Sequence, residues 1–281
     1  MKRGDITELA GSCGLGAWTA LGVLTMGVVG HDGIPLFADG DLLSWSVGHR
    51  PEVAVAFARG LTATGTGVIP FALAALAGVV IGRTLRQRTL AAVLCMTCLG
   101  AGQALRYAVM ASVTRPRPPR ADWDTHASGW AFPSGHSTTA AVTAGLLIIA
   151  VCVRGPRGRI PLILIIGGWG ASVGLTRVYL GVHWFTDVVG GWLFALGWLG
   201  VCMYAVARRL PERWTPRTSD PDTSPGTTEA TGTTDRRTDP DTSLGTTKAT
   251  GTTDRRTDPA REQGKHGAPE DSRHRGRSRP A

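Results

Sequence analysis

Three short clusters hold the residue types that phosphate chemistry needs. TRPRPPR (114–120) supplies Arg115 and Arg117, PSGH (133–136) supplies Ser134, Gly135 and His136, and TRVYLGVHWFTD (176–187) supplies Arg177, His183 and Asp187. Guanidinium groups are permanent cations whose forked donors suit phosphate oxygens. Ser134, Gly135 and His136 stand at an expected helix start, where free backbone N–H groups and the helix dipole favour an anion. Gly135 leaves room for backbone to approach it. His183 and Asp187 are spaced i, i+4, so on a helix they would share a face. A carboxylate there can hold one imidazole nitrogen and make the other a better nucleophile or base. Together these residues predict a phosphate pocket with two histidines, one attacking phosphorus and the other protonating the leaving oxygen. No metal-ligand spacing accompanies them, so the expected chemistry is phosphoryl transfer with no metal and no cofactor.

The elements that must position these clusters are apolar. Six segments, about 8–30, 61–82, 89–113, 135–153, 160–180 and 184–207, approach the ~20 residues needed to cross a bilayer as a helix. The first is too long, with Glu8 at its start, to read as a secretory signal, and is expected to span. Basic clusters flank alternate segments: Lys2 and Arg3; Arg83, Arg86 and Arg88; Arg154, Arg157 and Arg159; Arg208, Arg209 and Arg213. With six spans all four fall on one side, which the positive-inside rule makes cytoplasmic. The fold expected is an all-α integral membrane bundle of six transmembrane helices in the cell membrane. Both termini are then cytoplasmic, and the three motif clusters meet at the external boundary. Charged groups are expensive near hydrocarbon, so their segregation to one face argues for function.

The other polar residues are assigned plainer roles. His31, Asp32, Asp39, Asp41 and His49 read as a solvated loop, followed by an interfacial helix near 51–60. Asp122, Asp124 and His126 read as solvated, Arg120 as an interfacial anchor, and Trp123, Trp130 and Trp184 as an aromatic belt. Cys95 and Cys98 form a C-x-x-C within an apolar helix and read as small packing residues. The net charge of +9 does not indicate nucleic acid, because the basic residues lie in short loop clusters and in the tail without interleaved aromatics.

Two regions follow from composition. Residues 1–210 form the membrane domain, with the catalytic motifs within 106–187. Residues 211–281 are polar and contain DPDTSPGTTEATGTTDRRT at 220–238, repeated as DPDTSLGTTKATGTTDRRT at 239–257. These units lack an apolar face to stack, so a disordered cytoplasmic tail is expected.

The three clusters resemble the tripartite signature of the type 2 phosphatidic acid phosphatase superfamily, which includes membrane lipid phosphatases and vanadium haloperoxidases. Arg117-Pro118 matches the end of the first motif, Pro133-Ser134-Gly135-His136 the second, and Arg177, His183 and Asp187 the third. The resemblance implies that His183 forms a phosphohistidine, Asp187 orients it, and His136 is the general acid. Arg117, Arg177, Ser134 and Gly135 would hold the phosphate oxygens. It further implies a lipid phosphate or diphosphate substrate, phosphatidate-like or polyprenyl, and a metal-independent step. Two positions depart from the pattern. Met110 stands where the family has lysine; Arg106 a turn earlier, which also reads as a packed or snorkelling residue, and Arg115 nearby, which also reads as an interfacial anchor, are candidate substitute cations, and Thr176 replaces a serine. A phosphotransferase using the same residues and a catalytically impaired binding or transport protein are the alternative functions. The oligomeric state is not legible.

Overall fold

The computed structural model describes residues 3–209 except 33 and 37. The repeat-bearing tail lies outside the described residues. Within them the chain forms eight α-helices: α1 Arg3–Gly30, α2 Asp39–Gly48, α3 Glu52–Ala63, α4 Val68–Ile81, α5 Leu85–Val113, α6 Gly135–Arg154, α7 Arg159–Tyr179 and α8 Phe185–Arg209. One 3₁₀ turn, Arg120–Asp122, is added, and the described residues contain no strand.

Local chemistry sets several boundaries. α5 opens on a capping box, in which Thr84 Oγ1 accepts from the Gln87 N–H and the Gln87 side chain accepts from the Thr84 N–H. α6 ends at Gly155 in the left-handed conformation, the usual helix stop. α8 begins with Asp187 Oδ2 accepting from the Trp184 N–H, so a residue of the third motif also caps its own helix.

Five helices are long and apolar enough to cross a membrane: α5, α6, α7, α8 and the Glu8–Gly30 part of α1. The α3–α4 pair, bent by 52° at its break, passes the same test only when taken together and is the sixth candidate crossing. The sequence predicts a single spanning segment over about 61–82 there. The chain instead breaks at Thr64-Gly65-Thr66-Gly67, where Gly67 adopts φ +67°, and Pro70 sits in the first turn of α4, where its missing N–H costs nothing. Leu15, Met26, Val68, Leu164 and Ile165 stay largely exposed on these helices, as expected for side chains that face lipid. The protein is a multi-pass membrane protein.

Small residues let the helices pack closely. A Cβ on Gly78 of α4 would stand 2.3 Å from the Ala92 nitrogen of α5. α4 packs on α5 and α6, α6 on α7 and α8, and α1 along α8. Leu99, Val142 and Ala195 fill the space between α5, α6 and α8. At one end of the bundle, Arg154 donates to the Val80 and Gly82 carbonyls, bringing the ends of α4 and α6 together. The α5–α6 and α7–α8 connections and α2 gather at the other end.

There the sequence expectation for residues 31–49 is corrected. Asp39 is not solvated: it begins α2 and is fully buried. The stretch read as an interfacial helix near 51–60 is helical, as α3, and belongs to the bent α3–α4 pair.

Candidate active site

His183 lies in the short turn between α7 and α8. Gly181 makes that turn with φ +72°, and a Cβ there would stand 2.1 Å from the Asp122 carbonyl oxygen, so only glycine lets the 120–124 segment lie across it. That segment is fastened: the Asp124 N–H donates to the Leu180 carbonyl, and the Asp124 carboxylate pairs with Arg50 at 2.9 Å and Arg59 at 3.6 Å. Asp122 and Asp124 are thus part of a tied loop rather than freely solvated.

The His183 ring is held at both nitrogens. Nδ1 is 3.3 Å from Asp187 Oδ2, and Nε2 is 2.9 Å from Arg117 Nη1. Arginine can only donate, so Nε2 must accept and Nδ1 must carry the proton toward Asp187. The lone pair is therefore on Nε2. Burial first, then the positive charges of Arg117, Arg177 and Arg106, hold His183 well below the ordinary histidine value. The imidazole is neutral.

Arg117 is saturated. Its Nε donates to Gly129 O, its Nη2 to Ser128 O and Trp130 O, and its Nη1 to Val182 O and His183 Nε2. Those bonds fold the 128–130 loop onto the histidine turn.

Ser134 caps α6 by position, but no side chain accepts from the first N–H groups of that helix. They remain open to an anion. The Ser134 N–H donates to the Asp187 carbonyl at 3.0 Å, which joins the second motif to the third. The Ser134 hydroxyl is buried and accepts from Ser137. His136, on the first turn of α6, is half-buried and shares its electrostatic surroundings with His183, Arg177, Arg117 and Arg106. Its ring makes no hydrogen bond within the described residues.

Arg177 is buried in the last turn of α7; Nη1 meets Thr62 Oγ1 of α3 at 3.3 Å and Nε has no partner. Arg106 is also buried. Its guanidinium carbon and nitrogens lie 3.3–3.5 Å from where a Cβ on Gly135 would stand, directly over the head of α6. It stacks on Tyr107 and donates to Met110 Sδ at 3.2 Å, while its Nε is unpartnered.

Arg115 occupies a different place. Its guanidinium is fully buried between two fully buried carboxylates, Asp187 Oδ1 at 2.7 Å from Nη1 and Asp39 Oδ2 at 2.8 Å from Nη2. Both Nη groups are committed, so Arg115 is placed as a strut behind the histidine rather than beside the open helix end. Trp184 is likewise not in an interfacial belt. It is 7% exposed, its indole donates to the Pro116 carbonyl, and its ring packs near Arg115. Thr176 does keep its hydroxyl, but donates it to the Val173 carbonyl of its own helix.

The geometry brings two imidazoles, three guanidiniums and an uncapped helix start to one end of the bundle. Comparison with known proteins gives the family. Residues 89–211 match the family model described as PAP2 superfamily. Phosphatidylglycerophosphatase B of Bacillus subtilis is 32% identical over 139 residues, which cover 48% of this chain and 67% of that protein. The chain belongs to the PAP2 superfamily. Phosphatidylglycerophosphatase B of Escherichia coli (37% over 98 residues) and lipid A 1-phosphatase of Rhizobium etli (37% over 84 residues) are matched over only 35% and 32% of their lengths. The crystal structure of the transmembrane PAP2 type phosphatidylglycerolphosphate phosphatase from Bacillus subtilis superposes with a TM-score of 0.56 at 24% identity. The superposition covers 70% of this chain and 94% of that one, a likeness of fold.

Against the PAP2 pattern, the lysine position is Met110, yet a cation stands nearby because Arg106 reaches over Gly135 from the preceding turn. The sequence did not reveal Asp39, Thr62 or Thr186 as neighbours of the motifs. Asp39 and Thr62 come from α2 and α3, and no local spacing ties them to α7 or α8. Thr186 sits inside the third motif, but its bonds to Arg115 and Asp39 are visible only in space.

Proposed function

We propose that this PAP2 protein is a lipid phosphatase that hydrolyses a lipid phosphate monoester or diphosphate, phosphatidate-like or polyprenyl, at the outer face of the cell membrane. The observation that carries this is charge. Arg106, Arg115, Arg117 and Arg177 against Asp39 and Asp187 give the site a formal charge of about +2 before either histidine is counted, the complement of a phosphate dianion. The names of the relatives, two phosphatidylglycerophosphatases and a lipid A 1-phosphatase, favour a lipid phosphate. Basic clusters at the opposite end of the bundle favour the external side for the motifs and the cytoplasm for both termini.

In the proposed reaction, Arg106, Arg177 and the N–H groups at the start of α6 hold the phosphoryl oxygens. Arg117 lies on the nucleophile's side and Ser134 shapes the helix start. The Nε2 lone pair of His183 forms a bond to phosphorus as the bond to the lipid oxygen breaks. His136, whose protonated form the bound dianion favours, gives its proton to that oxygen. Asp187 steadies the Nδ1–H as positive charge grows on the ring. Water then attacks the phosphohistidine, giving a proton to the now-neutral His136, and Nε2 regains its lone pair as phosphate leaves. None of these steps calls on a metal.

The test is phosphate release from phosphatidic acid, phosphatidylglycerophosphate and a polyprenyl diphosphate in mixed detergent micelles, with and without EDTA. Turnover of at least one lipid, unchanged by EDTA, is expected. Failure on every lipid would overturn the proposal, and a phosphorylated acceptor in place of free phosphate would favour the phosphotransferase. Met110 was the motive for a non-catalytic binder, and the Arg106 guanidinium beside Gly135 argues against that alternative. Arg106→Ala should therefore lower kcat/KM about 10- to 100-fold, the loss of a charge-assisted contact of about 1.5–3 kcal/mol. An unchanged kcat/KM would mean that Arg106 only packs.

A further inference from the structure

We propose that Asp39 is a positioning residue for His183, acting through Arg115 and Asp187. The inference rests on His183 being the nucleophile, but none of the sequence motifs contains Asp39, and α2 lies outside the segment matched by the family model.

Six hydrogen bonds carry it. Asp39 Oδ2 accepts from Arg115 Nη2, Thr186 Oγ1 and the Leu36 N–H, and Oδ1 accepts from the Thr186 N–H at 2.8 Å. Arg115 Nη1 in turn donates to Thr186 Oγ1 and Asp187 Oδ1, both at 2.7 Å. The side chains of Asp39, Arg115 and Asp187 are each 0% exposed. A single guanidinium thus divides its two Nη groups between two carboxylates.

That division decides what is left for the histidine. Arginine prefers to grip one carboxylate with two parallel bonds. Without Asp39, the freed Nη2 would turn to the remaining anion, Asp187, and compete for Oδ2. Oδ2 is the oxygen that faces His183 Nδ1 and accepts from the Trp184 N–H. By claiming Nη2, Asp39 confines Arg115 to Oδ1 and keeps Oδ2 for the imidazole. By accepting from the Thr186 N–H, it also holds the first turn of α8, on which Asp187 is mounted. Its charge matters too: with two carboxylates to one guanidinium, the buried group keeps a net negative charge facing a ring that becomes positive during phosphoryl transfer.

The experiment uses the full chain in mixed micelles, with whichever panel lipid the wild type hydrolyses fastest. For Asp39→Asn, kcat should fall about 10- to 100-fold while KM stays within about twofold, because Asp39 touches no substrate and supports a residue that does not bind it. Asp41→Asn, an exposed acid on the same helix, should change neither. In an Arg115→Gln background, Asp39→Asn should add less than about threefold to the loss, since both changes break one chain of contacts. A folded Asp39→Asn enzyme with wild-type kcat would overturn the proposal, as would losses that multiply fully in the double variant. Should Asp39→Asn fail to fold, Thr186→Val decides. That variant removes only the hydroxyl between Asp39 and Arg115, and it must lower kcat with KM unchanged or the proposal fails. If His183→Ala retains activity, the nucleophile assignment fails instead, and the two failures are told apart.

Discussion

His183→Ala is expected to reduce turnover by about 10⁴-fold or more, the scale seen when a nucleophile or its base is removed from a coupled catalytic set. The expectation rests on the ring's two contacts. Arg117 fixes the lone pair on Nε2, and Asp187 holds the proton on Nδ1, the arrangement the proposed attack on phosphorus needs. His136 is not a substitute, because its ring has no carboxylate partner to set its tautomer. A rapidly quenched wild-type reaction should contain protein-bound phosphate that survives alkali and is lost in acid, as a phosphoramidate bond requires, and His183→Ala should contain none. Asp187→Asn should cost heavily in the wild type and little more in the His183→Ala background, because both serve one step. The low basicity of His183 gives a further sign: lowering the pH through the usual histidine range, about 6.5, should not by itself silence the nucleophile. Turnover of His183→Ala within about tenfold of the wild type would remove it from the reaction.

Arg115→Met should destabilise the fold by about 3–5 kcal/mol, the cost of leaving buried charge without its partner. Methionine keeps most of the stem volume, so the loss reports the guanidinium. Two carboxylates, both 0% exposed, would then face one another across the space that Nη1 and Nη2 now fill. The surface pair Arg59–Asp124 makes the contrast. Arg59 is 55% exposed and the contact is 3.6 Å, so its worth is about 1 kcal/mol or less. Denaturant unfolding in detergent micelles measures the Arg115→Met change, and a loss below about 1 kcal/mol would mean that water or rearrangement reaches the strut.

The motifs and most helices were legible because each is written locally. Apolar runs of membrane length, a Pro-Ser-Gly-His at a helix start and an i, i+4 His–Asp pair need no knowledge of distant residues. Asp39 was misread for the opposite reason. Its flanks, Ala38 and Gly40 with Asp41 beyond, look like a solvated loop, and its partners Arg115 and Thr186 are 76 and 147 residues away. The break between α3 and α4 had a signal in Thr64-Gly65-Thr66-Gly67, but apolar residues on both sides hid it within one hydrophobic run. Arg106 was visible one turn before Met110. That its side chain turns toward Gly135 follows from packing, which spacing alone does not supply. Trp184 looked like a belt residue because its neighbours are interfacial, whereas the Pro116 carbonyl draws its indole inward.

The five donors of Arg117 are all in use: four serve backbone carbonyls and the fifth rests on the lone pair of His183. An incoming phosphoryl oxygen can therefore gain a bond from this arginine only by displacing a present partner, and the donor that covers Nε2 is the one beside the site of attack in the proposed reaction. Anion capture and exposure of the nucleophile then become a single exchange. If His183 is the nucleophile proposed above, that contact would keep Nε2 covered until an anion draws the donor away, so the histidine would be bared only when phosphate is there to receive it.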